Sequence, residues 1–163
     1  MANEEKGGAG SAVYRGMDRA ALDAAYRASL SIPDVDRWRN GWVERSEHFR
    51  RRHRGQLDLP YGDAPRTKLD FFPADAPGAP TVMFIHGGYW RRNSKDNFSF
   101  VAAGPLAHGF NVAVLSHTLA PEARMDRIVG EVAGAASWLA AHLGRLDGDP
   151  NRLYAAGWSA GGR

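Results

Sequence analysis

The sequence predicts an α/β fold in three layers, a mostly parallel sheet with helices on both faces. Three short apolar runs carry this expectation: residues 81–85, Asn111–Leu115 and 152–156. Their length and β-branched content suit strands buried on both faces. Helical periodicity fills the gaps between them, over 95–108 and 124–143. Strands alternating with helices imply βαβ units, right-handed crossovers and parallel pairing. The third observation is glycine placement, in His86-Gly87-Gly88 after the first run and in Gly157-Trp158-Ser159-Ala160-Gly161 after the last.

Taken in order, residues 1–13 are rich in Gly, Ala and Ser and are expected to be disordered. Residues 18–30 place Leu22, Ala25, Tyr26 and Ser29 at helical spacing. Pro33 punctuates, and a second helix is predicted over 34–52, with Val35, Trp38, Trp42, Val43 and Phe49 apolar and Gly41 weakening it. Pro60, Gly62 and Pro65 mark 57–65 as a loop, Lys68–Phe72 reads as a strand, and 74–80 as a turn. The 95–108 helix should kink or split at Gly104-Pro105, and Gly109 caps it. The longest helix, 124–143, lines up Met125, Ile128, Val132, Ala136, Leu139 and Leu143, and Gly144 ends it. The organisation predicted is a disordered segment 1–13, a helical segment 14–56 and a main α/β region 57–163.

Composition narrows the function. With 163 residues and 44% hydrophobic content, the chain has one ordinary domain's length and ample core. No apolar run approaches membrane-span length, and the polar N-terminus has no signal-peptide core. The absence of cysteine excludes disulfides, thiolate metal sites and a cysteine nucleophile. A cytoplasmic location is the expectation. The net charge of +3 is partly local, in Arg50-Arg51-Arg52-His53-Arg54, which reads as the solvated end of a helix. No nucleic-acid motif accompanies it. No Walker loop, strand-linked G-x-G-x-x-G or metal-ligand cluster is present, so neither cofactor nor metal is expected.

The chemistry sits in the two glycine motifs. A nucleophilic serine must stand clear of the sheet, and a sharp strand-to-helix turn achieves this at the cost of backbone strain. G-x-S-x-G after a buried strand has that form, with Ser159 as nucleophile and small neighbours at Gly157, Ala160, Gly161 and Gly162. Attack on an acyl carbon drives negative charge onto its oxygen, and backbone N–H groups aimed there stabilise the transition state. Gly87 and Gly88, with Ala160 as a third donor, are the candidates for that oxyanion hole. Tyr89 and Trp90 are candidates for lining the acyl pocket, with simple packing as the alternative. Among the histidines, His86 reads as a loop-orienting residue, and His117 is the one at the carboxyl edge of the sheet.

On these residues the chain resembles the α/β-hydrolase superfamily, in its branch of kynurenine formamidases (arylformamidases) and related carboxylesterases. His86–Trp90 matches that branch's HGGxW loop, and Leu59-Pro60-Tyr61-Gly62 with Leu69-Asp70-Phe71-Phe72-Pro73 is similar to its lead-in to the first strands. The resemblance covers roughly residues 15–162. It implies an acyl-serine route on N-formyl aryl amides or small esters, with Ser159 as nucleophile and Gly87 and Gly88 as oxyanion donors. Leu119-Ala120-Pro121-Glu122 resembles a segment of hormone-sensitive-lipase-like esterases, an alternative branch that usually carries HGGG. In α/β-hydrolases the acid and histidine follow the serine. Both are therefore expected beyond residue 163, and the chain alone is expected to be inactive. A non-catalytic truncated product or interaction module is the remaining alternative. The expected partner is a small acyl substrate, with homodimerisation open and neither nucleic acid nor membrane.

Overall fold

The computed structural model describes residues 11–27 and 32–163. The disorder expected for residues 1–10 and the helical positions Ser29 and Leu30 lie outside the described residues. Contacts divide the chain into two units, Met1–Arg39 and Asn40–Arg163. In the first, helix α1 (Arg19–Tyr26) starts at Asp18, whose carboxylate accepts the Ala21 N–H at 2.8 Å. This N-cap satisfies one of the orphan donors of the first turn. Helix α2 (Val35–Arg52) spans the division.

The second unit holds a five-stranded mixed sheet: β1 (Gln56–Pro60), β2 (Lys68–Phe72), β3 (Ala79–Ile85), β4 (Asn111–Leu115) and β5 (Gly148–Gly157), in the order β1-β2-β4-β3-β5. β3 pairs in parallel with β4 on one side and β5 on the other, while β1 and β2 extend the sheet antiparallel. The chain leaves β3 for β4, then crosses to β5 on the opposite side. Strand order reverses at β3, and ligands of open α/β sheets bind at such a switch, outside the carboxyl ends of the strands.

Alternation along the strands separates two cores. Leu69, Phe71, Met83, Ala113 and Leu115 face Ala135, Leu139 and Leu143, which belong to helix α4 (Met125–His142) and the turn after it. Phe72, Val112 and Val114 face Phe49 of α2 together with Phe98 and Ala102. Period-two burial on both faces gives the three layers expected.

Two local expectations are corrected. The segment read as a loop over 57–65 contains β1. Asp58 takes a left-handed conformation (φ 58°), the ladder shifts between Gln56 and Leu59, and Pro60 ends the strand. An edge strand tolerates a proline and a bulge that a central strand would not. The helix read over 95–108 is two 3-10 turns, Lys95–Asn97 and Ser99–Ala102, followed by helix α3 (Ala103–Ala107). Its break falls at Phe98 (φ −128°, ψ 9°), not at Gly104-Pro105. Pro105 lies in the first turn of α3, where its missing N–H has no partner to lose. Arg50, from the basic run, donates to the Asp96 carbonyl and to Ser99 Oγ, both at 2.8 Å, and so ties α2 to these turns.

Candidate active site

The last strand ends in a turn that only small residues can make. A Cβ on Gly157 would lie 2.0 Å from the Gly161 carbonyl oxygen, and one on Gly161 would lie 2.2 Å from that of Ile85. The turn is pinned to the end of β3 by the Trp158 N–H, which donates to the Ile85 carbonyl at 3.1 Å. Between these anchors Ser159 stands exposed with φ 54°, a left-handed conformation. Such a conformation costs on the order of 1–3 kcal/mol and persists only where the surroundings enforce it. The enforcing contacts include an aromatic one. The Trp158 ring meets Trp42 of α2 edge-on at 5.4 Å and Phe98 at 5.6 Å.

The loop after β3 lies against this turn. A Cβ on Gly87 would come within 2.6 Å of the Trp158 carbonyl oxygen and 2.9 Å of Ser159 Cβ. The two glycine motifs, separated in sequence by two βα units, are thus in contact at the carboxyl edge of the parallel strands. Neither Gly87 nor Gly88 donates its N–H to an acceptor among the described residues. Gly88 has φ 129°, while Tyr89, Trp90 and Asn93 are all left-handed at 57°, 56° and 77°. Tyr89 is exposed, its ring 5.7 Å from that of Trp90, and the Trp90 carbonyl accepts the Ala120 N–H at 2.7 Å. That bond brings the segment after β4 alongside the loop, where Ala120, Ala123, Arg124, Met125 and Asp126 line a shallow depression.

Beneath the loop two histidines stack with centroids 4.7 Å apart. His86 Nδ1 donates to the Gly87 carbonyl at 2.9 Å, and His117 Nδ1 to that of Thr118 at 2.7 Å. Carbonyl acceptors fix the protonated nitrogen of each ring. Both rings are thereby engaged with the backbone, His86 in the orienting role read from the sequence. Burial pushes the His86 pKa down to about 4, and His117 moves the same way. Folded His86 therefore stays neutral where the unfolded chain, near 6.5, takes a proton. Stability should be full above about pH 6.5 and fall by about 3 kcal/mol as the pH drops toward 4. Urea unfolding at several pH values checks this. His86→Gln should flatten the slope and leave the share that His117 contributes, and an unchanged slope would contradict the assignment.

Several supporting residues escaped the sequence reading. Arg66 bridges two loops, donating from Nε to the His117 carbonyl at 2.9 Å and from Nη2 to that of Asn93 at 2.5 Å. Glu131 of α4 accepts both the N–H and the hydroxyl of Thr118, at 2.7 and 2.9 Å. The buried ammonium of Lys95 lies 2.9 Å from each of Asp58, Asp70 and Asp96. Burial alone would lower the Lys95 pKa, but hydrogen bonds to the three carboxylates leave it raised. Their shared signal is spatial. Arg66 and Lys95 are separated from their partners by up to 51 residues of chain, so no local pattern reveals them.

The BD-FAE family model matches residues 69–163. Kynurenine formamidase of Danio rerio is 34% identical over 107 residues, covering 64% of this chain and 35% of that protein. Esterase LipC of Mycobacterium tuberculosis is 33% identical over 106 residues, 63% of this chain and 26% of its own length. A crystal structure of a thioesterase candidate from Silicibacter sp. tm1040 superposes with a TM-score of 0.75 at 33% identity, covering 86% of this chain and 52% of that one. The chain thus spans 35% or less of these two curated relatives.

Proposed function

The chain belongs to the BD-FAE family of α/β-hydrolases, and from that membership we propose that it serves acyl-group hydrolysis through Ser159. In this reading Ser159 Oγ attacks an acyl carbon, the carbonyl oxygen takes up negative charge, and the leaving amine or alcohol departs with a proton. Water then releases the acyl group from the serine. The N–H groups of Gly87, Gly88 and Ala160 receive the developing charge. The observation that carries the reading is the contact between Gly87 and Ser159 at one sheet edge. It brings a strained serine and two uncommitted backbone donors to one place.

The finer reading concerns substrate. Kynurenine formamidases and esterases are both among the relatives. A compact loop bearing Tyr89 and Trp90 favours a small acyl group joined to a flat leaving group, as in N-formylkynurenine or an aryl acetate. The route has no step that calls for a metal or cofactor. Kinetics on the protein as its gene encodes it test this. N-formylkynurenine and p-nitrophenyl acetate should be hydrolysed, with a loss of roughly tenfold or more on going to long acyl chains, and a chelator should change nothing. A preference for long chains, or loss of activity with chelator, would contradict it.

A further inference from the structure

The peptide between Gly87 and Gly88 is held from an unexpected side. Its carbonyl accepts two hydrogen bonds, from Asn93 Nδ2 at 2.9 Å and from His86 Nδ1 at 2.9 Å. In a trans peptide the N–H points opposite to the C=O. Fixing the Gly87 oxygen toward Asn93 and the buried His86 therefore fixes the Gly88 N–H the other way. That N–H meets no acceptor among the described residues.

We propose that Asn93 is a positioning residue for the oxyanion site: its side-chain amide holds the Gly87 carbonyl so that the Gly88 N–H is presented to an acyl oxygen at Ser159. The proposal rests on the acyl-transfer reading above. The local structure is specific to the task. Asn93 is left-handed (φ 77°), a conformation asparagine tolerates better than most residues. Its own carbonyl is anchored by Arg66 at 2.5 Å, so the carboxamide projects from a fixed point. Space for it exists because residue 88 has no side chain, as a Cβ there would lie 2.7 Å from Asn93 Nδ2. Accepting two bonds also polarises the peptide and strengthens its N–H as a donor.

Asn93→Gly is the informative variant, since glycine accepts φ 77° without strain and deletes only the carboxamide. In the protein as its gene encodes it, kcat should fall by roughly 10–100-fold, less than outright loss of an oxyanion donor, with KM little changed. Asn93→Asp keeps the shape but sets a carboxylate against the Gly87 oxygen, and should lose more. In the 163-residue chain the Gly88 amide resonance should shift in both variants, while that of Leu139 in the distant core stays put. A parental kcat in Asn93→Gly, or an unmoved Gly88 resonance, would overturn the assignment. Ser159→Ala separates the two ideas. Lost activity there with full activity in Asn93→Gly sinks the Asn93 role alone, whereas full activity in Ser159→Ala sinks the acyl-transfer reading and the Asn93 role with it.

Discussion

Ser159→Ala should lower turnover of an activated ester by roughly 10⁶-fold in the protein as its gene encodes it, the scale seen when a comparable catalytic serine is removed. The size follows from how much of the local structure serves one hydroxyl. Gly157 and Gly161 admit no side chain, Trp158 is bonded to the end of β3, and Ser159 itself holds a left-handed backbone. Alanine can occupy the same backbone at similar cost, so the fold should survive and only the nucleophile be lost. Circular dichroism and an unfolding curve matching the parent would show that the fold survives. A residual acceleration over water of roughly 10³–10⁴ is expected from the loop donors alone.

Lys95→Met should cost about 3–5 kcal/mol of stability, the usual consequence of stripping a buried charge of its partner. The Lys95 ammonium is the shared partner of Asp58, Asp70 and Asp96, and Asp70 is fully buried on β2 with Oδ2 meeting no hydrogen-bond partner among the described residues. Burial already holds the Asp70 pKa above its ordinary value, against the pull of the Asp58 N–H and Lys95. Without Lys95 that pull weakens and the carboxyl rises further. The deficit should therefore shrink as the pH falls and Asp70 takes a proton. Adding Asp70→Asn should recover part of the loss, since no buried charge then remains, and the two substitutions should be strongly non-additive. Urea unfolding of the single and double variants measures this. A loss under about 1 kcal/mol, the surface-pair scale, would show the cluster to be solvated.

The elements that the sequence displayed most clearly are those governed by local pattern. β3 and β4 are apolar runs bounded by glycine or turn residues, and α4 repeats its apolar positions over 18 residues. The two glycine motifs were legible for the same reason, because a backbone that admits no Cβ leaves a mark in the sequence. β1 was hidden because Asp58 and Pro60 are turn residues by habit, tolerated here by a bulged edge. The break at Phe98 was hidden because the short turn opened by the Ser94–Asn97 capping box stops there with no glycine or proline to announce it. Lys95 sits at a position that reads as ordinary helix surface. Only the arrival of Asp58 and Asp70 from β1 and β2 makes it buried. Asn93 is similar, since its role depends on the loop folding back over Gly87.

Covalent trapping tests the central claim most directly. The protein as its gene encodes it would be treated with a fluorophosphonate and the modified peptide identified by mass spectrometry. One adduct on Ser159, formed in step with loss of ester hydrolysis and absent from Ser159→Ala, is the predicted result. Hydrolysis that persists in Ser159→Ala, or an inactivating adduct on another residue, would contradict it.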